Sequence, residues 1–286
     1  MTMASALGHR GVQLIVGGWT FFIAENLILS ENREYLVSEL GESGYRNVYG
    51  CLSTLACGSI AVGYLRFGRG KGPVVFPGAA GVGAQTAAFA LQTLGLVGFS
   101  QLAPPLQLPV AVAPVAAVNG GGAQIHPPVG SEAAKTTKEV TSTLGLKAQC
   151  PINFDHSRRQ EGKEVVGIKR VTRHPVLWSM AYVGMGAAMG SPLITEIVFG
   201  LCPSLMAIIG GWHTDFRHRK SGALRPSVDG ATSALPFAAL LEGRQSWAEL
   251  ADDVAWSNAG LAVAGGTALA LRRHRAFAAA ARAIAK

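Results

Sequence analysis

The sequence predicts an all-α fold, a polytopic membrane bundle of about six transmembrane helices broken by a long Pro/Gly-rich insert. Three observations lead there. Of 286 residues 49% are hydrophobic and only 15% charged, with 36 glycines, far from the balance of an average water-soluble domain. Apolar segments long enough to cross a ~30 Å hydrocarbon core fall at 11–30, 48–65, 74–102 and 192–212, with two shorter ones at 175–190 and 255–271. Charge is also lopsided. With six spans, one side carries Arg10, Arg66, Arg69, Lys71, Arg272, Arg273, Arg275, Arg282 and Lys286 with no acid among them, so nearly all of the net charge of +8 sits on one face. By the positive-inside rule that face is cytoplasm, matrix or stroma, in contact with anionic lipid headgroups. No basic stripe interleaved with aromatics exists, which argues against nucleic acid as a partner.

The first span begins about ten residues from Met1, and no small-residue cleavage site stands out after it, so it reads as a retained signal anchor. Residues 31–46 are polar, with Tyr35, Leu36, Val37 and Leu40 on one face, and read as an interfacial helix ending at Gly41. After the second span comes a basic turn, GRGKGP at 68–73, without Walker spacing. The third span opens with GAAGVGAQTAAFA at 78–90, whose glycines miss the GxGxxG order and instead suit close helix packing through small residues. Cys51, Cys57, Cys150 and Cys202 lack CxxC spacing and read as small buried hydrophobes, with no disulfide framework. The chain divides into a first section (1–102), a strap (103–162) and a second section (163–286). Pro104, Pro105, Pro109 and Pro114 forbid a continuous helix in the strap, and Gly120 to Gly122 form a flexible joint. Its apolar residues, Leu106, Leu108, Val110, Val112 and Val115, suit burial against another polypeptide; the competing reading is a disordered insert.

Two motifs stand out in the second section: GIKRVTRHP at 167–175 and SALPFAALLEGRQ at 233–245. Together with GESGYRNVYG at 41–50, they resemble the NnrU family of integral membrane proteins, which includes the plant and cyanobacterial 15-cis-zeta-carotene isomerases. The residues that carry the resemblance are Arg33, Gly41, Glu42, Arg46, Arg173, His174, Pro175, Asp215, Arg217, Phe237, Glu242, Gly243, Arg244 and Gln245. His174 precedes an N1 proline at the positive end of a helix dipole. This placement suits a neutral, hydrogen-bonding imidazole flanked by Arg170 and Arg173, or a simple interfacial anchor. Glu242 and Arg244 read as a mutual or cross-loop ion pair, with Asp215, Arg217 and Arg219 as candidate partners; the alternative is a catalytic carboxylate.

The isomerase resemblance implies a b-type haem held by two histidines. In register, the first falls at Asn26 and the second at Ala187, positions expected to face each other across the bundle. Alanine has no donor atom and a carboxamide is a poor iron ligand. Met180, Met185 and Met189 form a helical stripe that reads as adaptable core. Glu25 and Glu196, acids within apolar spans, are expected near the interface. The expectation is therefore a haem-free, non-catalytic NnrU-like subunit with no cofactor, in contact with membrane lipids and other subunits of a bioenergetic membrane complex. The membrane would be mitochondrial or plastid, or alternatively the bacterial inner membrane. The competing functions are a haem-dependent carotenoid cis-trans isomerase and a lipid-, quinone- or pigment-binding membrane protein.

Overall fold

The computed structural model describes residues 8–106, 110–114, 144–148 and 164–284. In chain order the elements are α1 (Arg10–Glu31), α2 (Arg33–Val62, continued by a π-helical turn Gly63–Gly68), α3 (Val82–Ser100), β1 (Val110–Pro114), β2 (Leu144–Ala148), α4 (Pro175–Met189), α5 (Ile194–Lys220), α6 (Pro226–Ala231), α7 (Ala238–Leu241), α8 (Trp247–Asp253) and α9 (Trp256–Ile284).

Six of these, α1, α2, α3, α4, α5 and α9, run back and forth as an all-α bundle. α4 lies at its centre between α3 and α5, α1 packs on α2 and α5, and α9 packs on α3. Among the described residues four helices are long and apolar enough to cross a membrane, α1, α2 with its π turn, α3 and α5, and a fifth is counted if α8 and α9, bent by 86°, form one broken span. The count of six is thus corrected at α4. Pro175 fixes its start and Gly190 its end, so fifteen residues give about 22 Å, short of the hydrocarbon thickness. The helix packs between α3 and α5, with Ser179, Ala181, Gly186 and Ala188 buried, and need not meet lipid along its full length.

The packing follows from a solvent that is itself apolar. Large hydrophobic side chains such as Phe21, Ile28, Leu55, Leu205, Ile208 and Leu261 point outward, while the tightest helix contacts use small residues. A Cβ on Gly95 would lie 2.6 Å from the Ser179 carbonyl oxygen, one on Gly186 2.7 Å from that of Ala88, and those on Gly184 and Gly200 would strike each other's backbone. Small-residue packing therefore occurs on α3, but its glycines are Gly95 and Gly98; nothing approaches Gly83. The apolar core proper is Ile15, Trp19, Ile60 and Cys202. Cys202 is buried as expected, whereas Cys51 and Cys57 are exposed on the outer side of α2, a correction to their reading as buried. Cys150 lies outside the described residues.

Both ends of the bundle are identifiable. At one, Arg10 lies over Phe67, 4.6 Å from its ring centre, Thr195 donates to the carbonyls of Gly68 and Lys71, and the Arg273 guanidinium lies against Gly190. Ser30 meets His213 at the other end (2.7 Å), as do the motif segments and the start of α9. The basic residues Arg10, Arg69, Lys71 and Arg273 thus share one end, and Arg33 and Asp215 the opposite one. Lys163 lies outside the described residues.

In the first section the segment expected as an interfacial helix forms the opening part of α2, which breaks at Gly41, where φ is +72° and ψ 165°, a conformation open to glycine. Most of the strap lies outside the described residues, including its expected hinge at Asn119 to Gly122. Two of its described pieces pair as antiparallel strands, Val110 opposite Ala148 through Pro114 opposite Leu144. The strap's first residues are held to α9. Asn258 Nδ2 donates to the carbonyls of Ser100, Ala103 and Pro104, and Leu106 N donates to Asn258 Oδ1 at 2.7 Å.

Candidate functional site

The two long motifs meet at one end of the bundle. TRHP enters α4 with Pro175 at the first helical position, where the missing N–H costs nothing. Thr172 donates to the Ala234 carbonyl, and the backbone N–H of Arg173 bonds Ser233 O. Phe237 N–H bonds Val171 O at 2.9 Å, and Trp178 Nε1 donates to Ala234. Phe237 holds a left-handed φ of +65°, the one described non-glycine residue with positive φ. Its ring stacks on Trp247 at 6.3 Å, so this cross-bonded corner over-determines a conformation that costs about 1–3 kcal/mol. Gly243, also at positive φ (+73°), turns the chain after α7.

Charge is clamped beneath this corner. Asp215, 5% exposed, receives Arg173 Nη2 at 2.6 Å and lies 3.0 Å from His174 Nε2. Arg173, 11% exposed, reaches on to Asp229 (3.0 Å) and to the carbonyl of Thr232. Arg219 pairs with Asp229 at 2.6 Å, and this bond holds the Asp229 carboxyl below its ordinary pKa. The Glu242–Arg244 pair forms as expected, at 2.6 Å, and Arg244 also donates to the carbonyls of Gly230 and Thr232. The expected partnership with Asp215 does not: Asp215 is taken by Arg173 and His174, and Arg217 makes no ion pair among the described residues. Burial holds His174 below its ordinary pKa, outweighing the pull of Asp215 in the other direction. A neutral imidazole then donates from Nε2 to the carboxylate.

A second clamp escaped the sequence reading. Arg170, 9% exposed, binds Asp253 (2.8 Å), Glu249 (2.7 Å) and the side-chain carbonyl of Gln245 (2.6 Å), while Gln245 Nε2 donates to Ala231. Asp253 also receives Gly167 N. No spacing rule joins Arg170 to acids some eighty residues away. In the first section Arg33 pairs with Glu42 (3.0 Å) and lies over the Tyr45 ring, whereas Arg46 is exposed and makes no ion pair among the described residues.

Asn26 sits in a third polar group. Its amide nitrogen donates to Phe22 O (2.8 Å) and Glu25 Oε1 (2.9 Å), and its oxygen accepts from Tyr49. Glu25, expected near the interface, is instead 4% exposed, with Ser53 donating to it at 2.7 Å and its Oε2 without a partner. Glu196 does lie at a span end, accepting from Gly70 N and Ser191. The expected facing of Asn26 and Ala187 fails. The Ser30–His213 bond sets α1 beside α5 so that Asn26 lies level with residue 209, while α4 meets α5 at Gly184 and Ala188 against Gly200. Nine residues of helix separate the two levels by about 14 Å. Asn26 has both amide atoms engaged and Ala187 offers no donor, so the pair does not fit axial ligation of one iron. Among the described residues no cluster of three or more His, Cys, Asp or Glu could hold a metal ion.

Apolar crossing helices with charged motifs locked into one end define the chain as an integral membrane helix-bundle protein. It belongs to the NnrU family, whose model, described as NnrU protein, matches residues 13–279. Comparison with curated proteins and with solved structures gives no match.

Proposed function

We propose that this NnrU-family membrane protein is a haem-free, non-catalytic accessory subunit that supports a larger bioenergetic assembly in an organelle membrane, mitochondrial or plastid. The observation that carries this reading is how the family motifs are used. Arg170, Arg173, His174, Asp215, Glu242, Arg244 and Gln245 bond one another and the backbone. Side chains spent in this way hold the segments of the fold together, with the acids of the clamp, Asp215 and Glu242, both tied into ion pairs. The donor chemistry of Asn26 and Ala187 supports the same reading and weighs against a haem-dependent carotenoid isomerase.

The proposed partners are membrane lipids and other subunits rather than nucleic acid. The strap supplies the partner surface: its start is pinned to α9 by Asn258, so it leaves the bundle at a fixed point. Deletion of residues 107–130 tests this, since it leaves the anchored Pro104 and Leu106 in place. The deleted protein is expected to keep its helical content and to run alone on native gels, while the full chain migrates in a larger complex. If both migrate identically as monomers, the accessory-subunit reading is overturned.

A further inference from the structure

An apolar cavity of about 160 Å³ opens beneath the motif corner, between the end of α3 and the start of α4. Its walls include Leu94 and Val97 of α3, Trp178 and Tyr182 of α4, Phe237 of the corner, and Leu250 of α8. Directly against it lies a second chamber of about 310 Å³, which shares the walls Gln101, Ile168 and Pro175 and is lined further by Lys169 and Asp253. This second chamber sits where α3 ends, α4 begins and α9 begins, at the motif end of the bundle. The first runs about two helical turns inward, to the level of Leu94 and Tyr182.

From this pairing we infer that the two chambers form one binding site for a single-chain amphiphile with an anionic head, its head at Lys169 and its first carbons in the apolar chamber. Size sets the tail. A 150 Å³ apolar cavity accommodates a benzene ring, so 160 Å³ holds about six carbons, and the rest of a longer chain passes Leu94, which is 37% exposed, into the bilayer. Filling the chamber restores the dispersion contacts that its lining lacks when empty. Charge sets the head. Two charged residues line the outer chamber, and Asp253 is bound to Arg170 at 2.8 Å and to Gly167 N. Lys169 is exposed and its side chain makes no ion pair or hydrogen bond with another described residue, which leaves its ammonium as the charge available to a carboxylate or phosphate. The walls are built: Phe237 N–H bonds Val171 O, and Trp178 Nε1 bonds Ala234 O. This inference is independent of the accessory-subunit reading and survives its failure.

Photolabelling of the purified full chain with a diazirine-bearing palmitic acid tests the site. Crosslinks are expected within 94–101 and 168–182, with Lys169→Gln weakening labelling about fivefold, the size of one exposed ion pair. Lys169 is exposed, so this variant should fold, as unchanged helical circular dichroism would show. Competition by palmitate but not by single-chain lysophosphatidic acid assigns a carboxylate head; competition by lysophosphatidic acid assigns a phosphate head; either supports the site. Labelling spread evenly over the outer faces of α1 and α2, labelling unchanged in Lys169→Gln, or equal competition by uncharged hexadecanol overturns it.

Discussion

Arg173 and Asp215 form the ion pair on which the motif corner rests, and the two members should not cost the same when removed. Replacing Arg173 with Met leaves Asp215, 5% exposed, with only the His174 ring as partner. Replacing Asp215 with Leu leaves Arg173 still paired with Asp229 at 3.0 Å and bonded to Thr232. Breaking a buried pair costs about 3–5 kcal/mol because the survivor's charge is uncompensated. The Arg173→Met variant belongs at the upper end and Asp215→Leu at the lower. At about 2–4 °C per kcal/mol, apparent melting temperatures in detergent should fall by about 10 °C or more for the first and by about 6–10 °C for the second. The double variant, which removes both charges, should lose less than the sum of the singles, with a coupling on the order of 1–3 kcal/mol. Single variants within about 2 °C of the parent protein, or a strictly additive double, would refute the clamp.

Other consequences can be measured in the same way. His174 is held below its ordinary value by burial, so its contribution to stability is full above an unfolded value of about 6.5 and is lost as pH falls below it. The melting-temperature advantage of the parent over His174→Gln should therefore shrink between about pH 7.5 and pH 5, and an advantage that grows on acidification contradicts the assignment. At Phe237, with φ +65°, both Ala and Gly lose the stacking on Trp247, but only Gly relieves the backbone. Phe237→Gly should be the more stable of the two by about 1 kcal/mol in thermal unfolding. Gly184→Leu drives a side chain into the Gly200 backbone and should separate α4 from α5; a monodisperse peak at parental yield in size-exclusion chromatography would contradict that packing.

The helices were legible because lipid imposes a crude rule: long apolar runs must be helical. The starts of α1 and α9 fall within a residue of the expected ones, and Gly41 breaks the chain where the polar face ends. α4 was harder, since a central helix walled in by protein can be shorter than the bilayer is thick. Within the site, the Glu242–Arg244 pair was readable because its members are neighbours in sequence. The partners of Asp215 and Arg170 were not: α5 delivers Asp215 to TRHP only once Gly184 and Gly200 have fixed the helix register, and α8 carries Glu249 and Asp253 across from a distant part of the chain. Counting along one helix likewise placed Asn26 and Ala187 by sequence but not by depth, which depends on how α1 and α4 each pack on α5. A buried Glu25 carried no signal that separated it from an interfacial one, because its burial depends on Ser53 and Asn26 of the α1–α2 pair.

The optical spectrum of the protein, purified from haem-replete membranes, tests the central claim most directly. The account gives no Soret band, oxidised or reduced, because Asn26 and Ala187 supply no iron ligand and lie about 14 Å apart in depth. A stoichiometric Soret band that shifts on reduction would contradict it and restore haem chemistry to this chain.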